Sequence, residues 1–362
     1  MKASSDGSFL RIKGVIFIMR DGKVVLGFLG NGKGANRYHI PYLQVRKDHF
    51  IVKTIWRRNA HHDSWPHWDG VIYTENIDDV LKDPEIDCVV IELPHSLHYS
   101  YLKTVLEAGK NVVCDKPFTE TEEQAKEIFE LAKEKGLMAQ CYQNRRYDSD
   151  FLTTQKVMES GRLGDLLELE MSFDYYRPYV SENTHEFSVP NSFLYGHACH
   201  TLDQVISYFG KPDNVHFDVR QLLGSGRAND YFDIDLYYGV LKVSVKSSYF
   251  RVKPRPSFVV YGKKGMFVHE KKDLQERDLK HFYLPEGHED FGKDQPEDYG
   301  MLTYYDDQNV YHEEKVPSVD GDYGRYYDAL YETLVNGKEQ LVKPEETLLQ
   351  LHLLEEGIKG LH

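Results

Sequence analysis

Between residues 24 and 142, apolar runs of strand length alternate with helical patterns, and no other feature of this 362-residue chain restricts its fold so strongly. The runs are 24–30, 50–56, a weaker one at 71–73, 87–94, 112–114 and 137–142. They are mostly apolar rather than alternating, continuously so at 24–30, as in strands buried on both faces, and parallel strands need helical crossovers to connect them. The intervening segments have the matching period: a helical pattern through Leu43, another over 95–108 closed by Gly109, and a third over 119–135 with Thr119 or Thr121 as N-cap and Gly136 beyond its end. The expectation is an α/β fold whose N-terminal part is a doubly wound parallel sheet ending near Arg146.

The second half changes period. After a helix over 150–160, segments 166–176, 215–222, 232–238, 241–250 and 257–268 alternate as in an open, mostly antiparallel sheet, with one helix at 196–209 between the first two. Region 286–307, acidic and broken by Gly and Pro, reads as surface loop, and 323–334 and 345–358 return to helix. The predicted organisation is an appended segment 1–22, with Met19 as a candidate natural start, a dinucleotide-binding domain 23–146, and a substrate-binding and oligomerisation α+β domain 147–362. At 41% hydrophobic and 13% aromatic residues, each half can build a core.

A formal charge of -14 disfavours nucleic acid and anionic membrane as partners. No apolar run approaches the roughly 18 residues of a membrane helix, and Gly14 to Met19 is too short for a signal-peptide core. Cys88, Cys114, Cys141 and Cys199 show no C-x-x-C spacing and read as small hydrophobes of a reducing, cytoplasmic compartment.

The chemistry begins at Gly30-Asn31-Gly32-Lys33-Gly34-Ala35, a G-x-G-x-x-A turn with an additional glycine, set between a strand and a helix. Gly30 permits the tight turn, Gly32 lets the backbone approach a pyrophosphate, and Ala35 keeps the helix close to the strand. The second strand ends in Arg57 and Arg58, where an NAD site would carry Asp or Glu; arginines there suit a 2′-phosphate and favour NADP over NAD. Segment His61 to His67 has metal-ligand residue types, but in a Pro-interrupted loop, and no metal is expected. Asn111 to Phe118 reads as a strand that delivers Asp115 and Lys116 to the carboxyl edge of the sheet, stopped by Pro117. In the second half, Tyr195 to Asp203 concentrates reactive side chains, with His197 and His200 on one helical face and Asp203 a turn further on.

Together the turn, Leu93-Pro94 with His98, Asp115-Lys116-Pro117, Asn144-Arg145-Arg146, and His200 with Asp203 resemble the Gfo/Idh/MocA family of NAD(P)-dependent oxidoreductases from about Lys23 onward. The Asn-Arg-Arg segment and Asp174-Tyr175-Tyr176-Arg177-Pro178 are similar to a bacterial subgroup of unassigned substrate, and more distantly to NADP-dependent scyllo-inositol dehydrogenases. The resemblance implies that Lys116 contacts substrate and nicotinamide ribose and that His200 is the catalytic histidine. Asp115 stands where the family reads Glu, and Gly196 stands where its aspartate precedes the histidine by four residues; Asp203, His197 or a tyrosine are the candidates to orient His200 instead.

The expected function is NADP(H)-dependent hydride transfer on a carbinol or ketone of a sugar, inositol or related polyol. Lys116 and His200 would be catalytic; Gly30 to Ala35, Arg57, Arg58, Leu93, Pro94, His98, Asp115, Lys116 and Asn144 would bind cofactor; Arg145, Tyr176, His197 and His200 would bind substrate. A homodimer or homotetramer would form through the C-terminal sheet. The alternatives are a hydrolase or lyase with a retained NAD, and a non-catalytic nucleotide and sugar sensor.

Overall fold

A computed structural model describes residues 9–12, 15–18, 22–59, 64–179, 186–189 and 192–361. His61, His62 and Asp63 of the histidine-rich segment lie outside them. Strands β1 (Phe9–Ile12) and β2 (Val15–Ile18) form an antiparallel hairpin in the segment read as appended. The chain divides into two compact units: Met1–Gln143 with Phe282–Glu289 and Tyr323–Leu348, and Asn144–His281 with Asp290–Asp322 and Leu349–His362.

The first unit is built on six parallel strands: β3 (Val24–Leu29), β4 (Phe50–Trp56), β5 (Ile72–Thr74), β6 (Cys88–Ile91), β7 (Asn111–Cys114) and β8 (Ala139–Cys141). Their order is β5-β4-β3-β6-β7-β8, so the sheet reverses its winding between β3 and β6. That reversal opens a crevice at the carboxyl ends of the two strands. Every residue of β3, β6, β7 and β8 is buried, which accounts for their largely apolar sequences. Of the two threonines offered as caps, Thr121 takes the position: its hydroxyl accepts the Gln124 N–H at 3.2 Å and starts the helix Glu122–Lys135, which Gly136 ends with a left-handed φ of 67°. The helix Arg325–Asn336 also belongs to this unit: the Tyr326 hydroxyl accepts from Gln140 Nε2 at 2.7 Å and donates to the Cys141 carbonyl at 3.0 Å.

The second unit carries an eight-stranded sheet, β9 (Leu166–Ser172), β10 (Asn214–Arg220), β11 (Tyr231–Tyr238), β12 (Leu241–Ser248), β13 (Phe258–Gly262), β14 (Gly265–His269), β15 (Gly300–Tyr305) and β16 (Tyr311–Val316). The order is β10-β11-β12-β9-β13-β14-β15-β16, antiparallel except where β12 meets β9. Two expectations are corrected here. Segment 257–268 is a hairpin, β13 and β14, turning at Lys263-Lys264. Region 286–307 is not all loop: β15 pairs with β14 and β16. Its sequence, Gly-Met-Leu-Thr-Tyr-Tyr, follows an acidic stretch, and its partner β14 lies some 35 residues back, so local pattern conceals it. No helix among the described residues is long and apolar enough to cross a membrane.

Candidate active site

The glycine turn and the Asp115-Lys116 turn both lie on the carboxyl edge of the first sheet. Gly30 follows β3 with φ 117°, and its N–H donates to the Trp56 carbonyl at 2.9 Å, which ties the turn to the strand end bearing Arg57 and Arg58. A Cβ on Gly30 would stand 2.2 Å from the Glu92 carbonyl oxygen, and one on Gly34 only 1.4 Å from Glu92 Oε2, whereas one on Gly32 would meet nothing within 4 Å. Gly30 and Gly34 are thus required by the fold, and Gly32 is the residue left open to a ligand. Gly30→Ala should lower the free energy of unfolding by roughly 2–4 kcal/mol in urea titration, combining a disallowed φ with a backbone clash, while Gly32→Ala should stay within about 0.5 kcal/mol of wild type.

Asn31 and Asn36 brace the turn: Asn36 Nδ2 donates to Asn31 Oδ1 at 2.9 Å and to the Gly32 carbonyl at 3.1 Å. Lys33 precedes a π-helical turn, Gly34–His39, and Ala35 is fully buried against the sheet. Arg57 lies over Tyr73 at 5.6 Å with its guanidinium 3.1 Å from His67 Nε2, and Arg58 is exposed.

Lys116 follows β7. Asp115 donates its N–H to the Ile91 carbonyl at 3.1 Å, Asp115 Oδ1 accepts the Lys116 N–H at 2.8 Å, and the Lys116–Pro117 bond is cis. His98, fully buried, has its two ring nitrogens 2.8 Å from the Pro117 carbonyl and 2.9 Å from the Leu93 carbonyl, so it clamps the Lys116 turn to Leu93-Pro94.

Glu92 and His39 were not legible as site residues. His39 Nε2 touches Glu92 Oε1, and His39 Nδ1 lies 2.5 Å from the Tyr327 hydroxyl. With Asp115 they bring one nitrogen and two carboxylate oxygens within 4.8 Å of one another, a spacing able to hold a metal ion. Burial pushes Glu92 up to about 8 and His39 down to about 3, and burial together with Glu92 raises Asp115 to about 6. At neutral pH the Glu92–His39 contact is therefore an acid against a neutral imidazole.

In the second unit, a π-helical turn Leu194–Ala198 runs into the helix Cys199–Phe209 and carries Gly196, His197 and His200. A Cβ on Gly196 would meet nothing within 4 Å. Asp203, offered as an orienting carboxylate, is bound to Arg146 by two bonds of 2.7 and 2.8 Å. His197 Nδ1 lies 3.2 Å from the Phe193 carbonyl, and its ring stands edge-on to Tyr175 at 5.0 Å. Tyr176 is 58% exposed and bridges to Phe250; in an extended segment neighbouring side chains point oppositely, so Tyr175 rather than Tyr176 joins His197. Asn144 belongs to this unit, beside Arg145, which pairs with Glu276 and with Asp148 at 3.3 Å and lies 4.9 Å over Phe173. Lys272, far away in sequence, places its ammonium 3.7 Å over Phe173 and 4.6 Å over Tyr175, and burial and Arg145 lower it to about 8.

A parallel sheet with a glycine turn at its winding reversal, followed by an open antiparallel sheet, defines a two-domain Rossmann-type oxidoreductase. Family models match residues 24–143, as an oxidoreductase family with NAD-binding Rossmann fold, and 155–359, as its C-terminal alpha/beta domain. The chain belongs to the Gfo/Idh/MocA family of NAD(P)-dependent oxidoreductases. It is 44% identical to the uncharacterized oxidoreductase YhhX of Escherichia coli over 92% of this chain and 95% of that one. It is 31% identical to the scyllo-inositol 2-dehydrogenase (NADP(+)) IolW of Bacillus subtilis over 93% of each. A crystal structure of an oxidoreductase from Bacillus cereus superposes with a TM-score of 0.86 at 41% identity, covering 92% of this chain and 95% of that one.

Proposed function

We propose that the chain transfers hydride between NADP(H) and a carbinol or ketone of a sugar, inositol or related polyol. The observation that carries this reading is the order of strand ends on the carboxyl edge: Arg57 after β4, the glycine turn after β3, and Lys116 after β7, with β6 between the last two. Three strand spacings span roughly 14 Å, a reach suited to an extended dinucleotide with its pyrophosphate at the turn and its two ends on either side. Arg57 and Arg58 then meet a 2′-phosphate, and Lys116 lies on the nicotinamide side. The open space at Gly32 fits the close approach of a pyrophosphate.

When bound, the nicotinamide ring accepts or returns the hydride. The protein's part is to remove the hydroxyl proton and stabilise the alkoxide that develops as hydride leaves carbon. In this proposal Lys116 supplies the positive charge and His200 the base. Arg145 and His197, with Tyr175 and Lys272, offer guanidinium, imidazole and aromatic faces to a hydroxylated substrate. Tyr176, more exposed, stays among the proposed substrate-binding residues. The eight-stranded sheet is the proposed surface for a homodimer or homotetramer.

The test is a panel of polyols and sugars with NADP and NAD, followed by the near-ultraviolet absorbance of reduced nicotinamide. Net NADPH formation supports the reading; glycoside cleavage at constant absorbance, or binding with no turnover of any compound, overturns it. Changing Arg57 and Arg58 together to Ala should raise KM for NADP roughly 10- to 100-fold and that for NAD less than about threefold, the loss of one or two charge-assisted bonds. Equal effects on both would remove the 2′-phosphate assignment.

A further inference from the structure

Glu92 is the first residue beyond β6, at the point where the sheet reverses its winding. Its side chain is 3% exposed. Its carbonyl oxygen faces Gly30 and its carboxyl faces Gly34, so it fills the floor under both ends of the glycine turn. On its other side the carboxyl meets His39 Nε2, yet neither Glu92 Oε1 nor that nitrogen completes a directed hydrogen bond. The remaining charged or titratable groups around it are Asp115 and Lys116 beyond β7, Cys114 within β7, and Tyr327 from the helix Arg325–Asn336. A carboxylic acid so placed fits the fold; among the described residues no hydrogen-bond donor is aligned on Oε1, and a carboxylate there would stand next to Asp115 with Lys116 as the opposing charge.

We propose that Glu92 is a positioning residue of the nucleotide site that works as a neutral acid, supporting the glycine turn while protonated and weakening dinucleotide binding once ionised. This rests on the reading of that turn as the nucleotide site. Ionisation acts in two ways. A buried carboxylate draws in water or displaces the turn to become solvated, and its charge repels the phosphates the turn would hold. Because Glu92 is held near 8, well above its ordinary 4.5, the folded state carries a proton that the unfolded chain releases. Stability from this group is full below about 4.5 and is lost as pH rises through about 8. Nucleotide affinity should fall as pH rises through and above about 8, where the folded protein without nucleotide begins to lose the proton.

The experiment measures the Kd of NADP and NADPH for the full chain between about pH 6.5 and 9.5, for wild type and Glu92→Gln, which keeps the shape and cannot ionise. Wild-type affinity should drop at least about fivefold across that range while Glu92→Gln changes less than about twofold, a coupling of ordinary size. The ligand's phosphate ionises alike in both experiments, so the difference between the two proteins reports on Glu92. A parallel decline in the two overturns the inference alone. Absence of binding by both at about pH 6.5 overturns the nucleotide reading and the inference with it. Should Glu92→Gln not fold, calorimetry of the wild type in buffers of different ionisation enthalpy decides: uptake of about 0.4 proton or more per NADP bound at about pH 8.5 supports the inference, and no uptake overturns it.

Discussion

Lys116→Ala is expected to lower kcat by roughly 10²- to 10⁴-fold while the Kd for NADPH moves less than about threefold. Lys116 brings its ammonium to the carboxyl end of β7, and the backbone carrying it is fixed by Asp115 Oδ1 and by His98 on the Pro117 carbonyl. Such a fixed charge stabilises an alkoxide in the transition state more than a neutral hydroxyl in the ground state, so its loss falls on kcat. Lys116→Arg should rescue little, since a planar guanidinium places its charge further out and in a fork. Single-turnover kinetics separates this from slow product release, and near-normal turnover would remove Lys116 from the mechanism.

Arg146→Ala is expected to destabilise the protein by about 3–5 kcal/mol. Both partners of the Arg146–Asp203 pair are buried, at 8% and 4% exposure, and two parallel bonds join them. Deleting the guanidinium takes both of these bonds from a buried carboxylate. The double change Arg146→Met with Asp203→Leu should recover most of the loss, because an apolar pair of similar volume carries no desolvation cost. Urea denaturation of the three variants measures this. A loss below about 1 kcal/mol for Arg146→Ala would show that Asp203 finds other partners, and would return it to the candidates for orienting His200.

Much of the first sheet was legible because its strands are buried on both faces and its helices are punctuated by Thr121 and Gly136, signals that are local. The pairs β13–β14 and β15–β16 were blurred for the opposite reason: each is local, but its place in the sheet is set by distant pairing, β13 with β9 and β15 with β14, and the β15 segment has little apolar contrast. The same division holds at the site. Lys116, the glycine turn and the arginines after β4 can be read because chemistry and position coincide within a few residues of a strand end. His39, Glu92 and Lys272 cannot, since each draws its significance from neighbours remote in the chain: Glu92 from Gly34 and His39, Lys272 from Phe173 and Tyr175.

By itself the sequence determined the parallel sheet, the glycine turn and the lysine at the strand end, because hydrophobic period and turn residues act over short distances. Only the tertiary structure decided that Asp203 is committed to Arg146, that Tyr175 rather than Tyr176 faces His197, and that a buried acid lies under the turn. Burial, pairing and protonation are set by what packs against a side chain, and the neighbours that set them are 57 residues apart for Asp203 and as many as 288 for His39 and Tyr327.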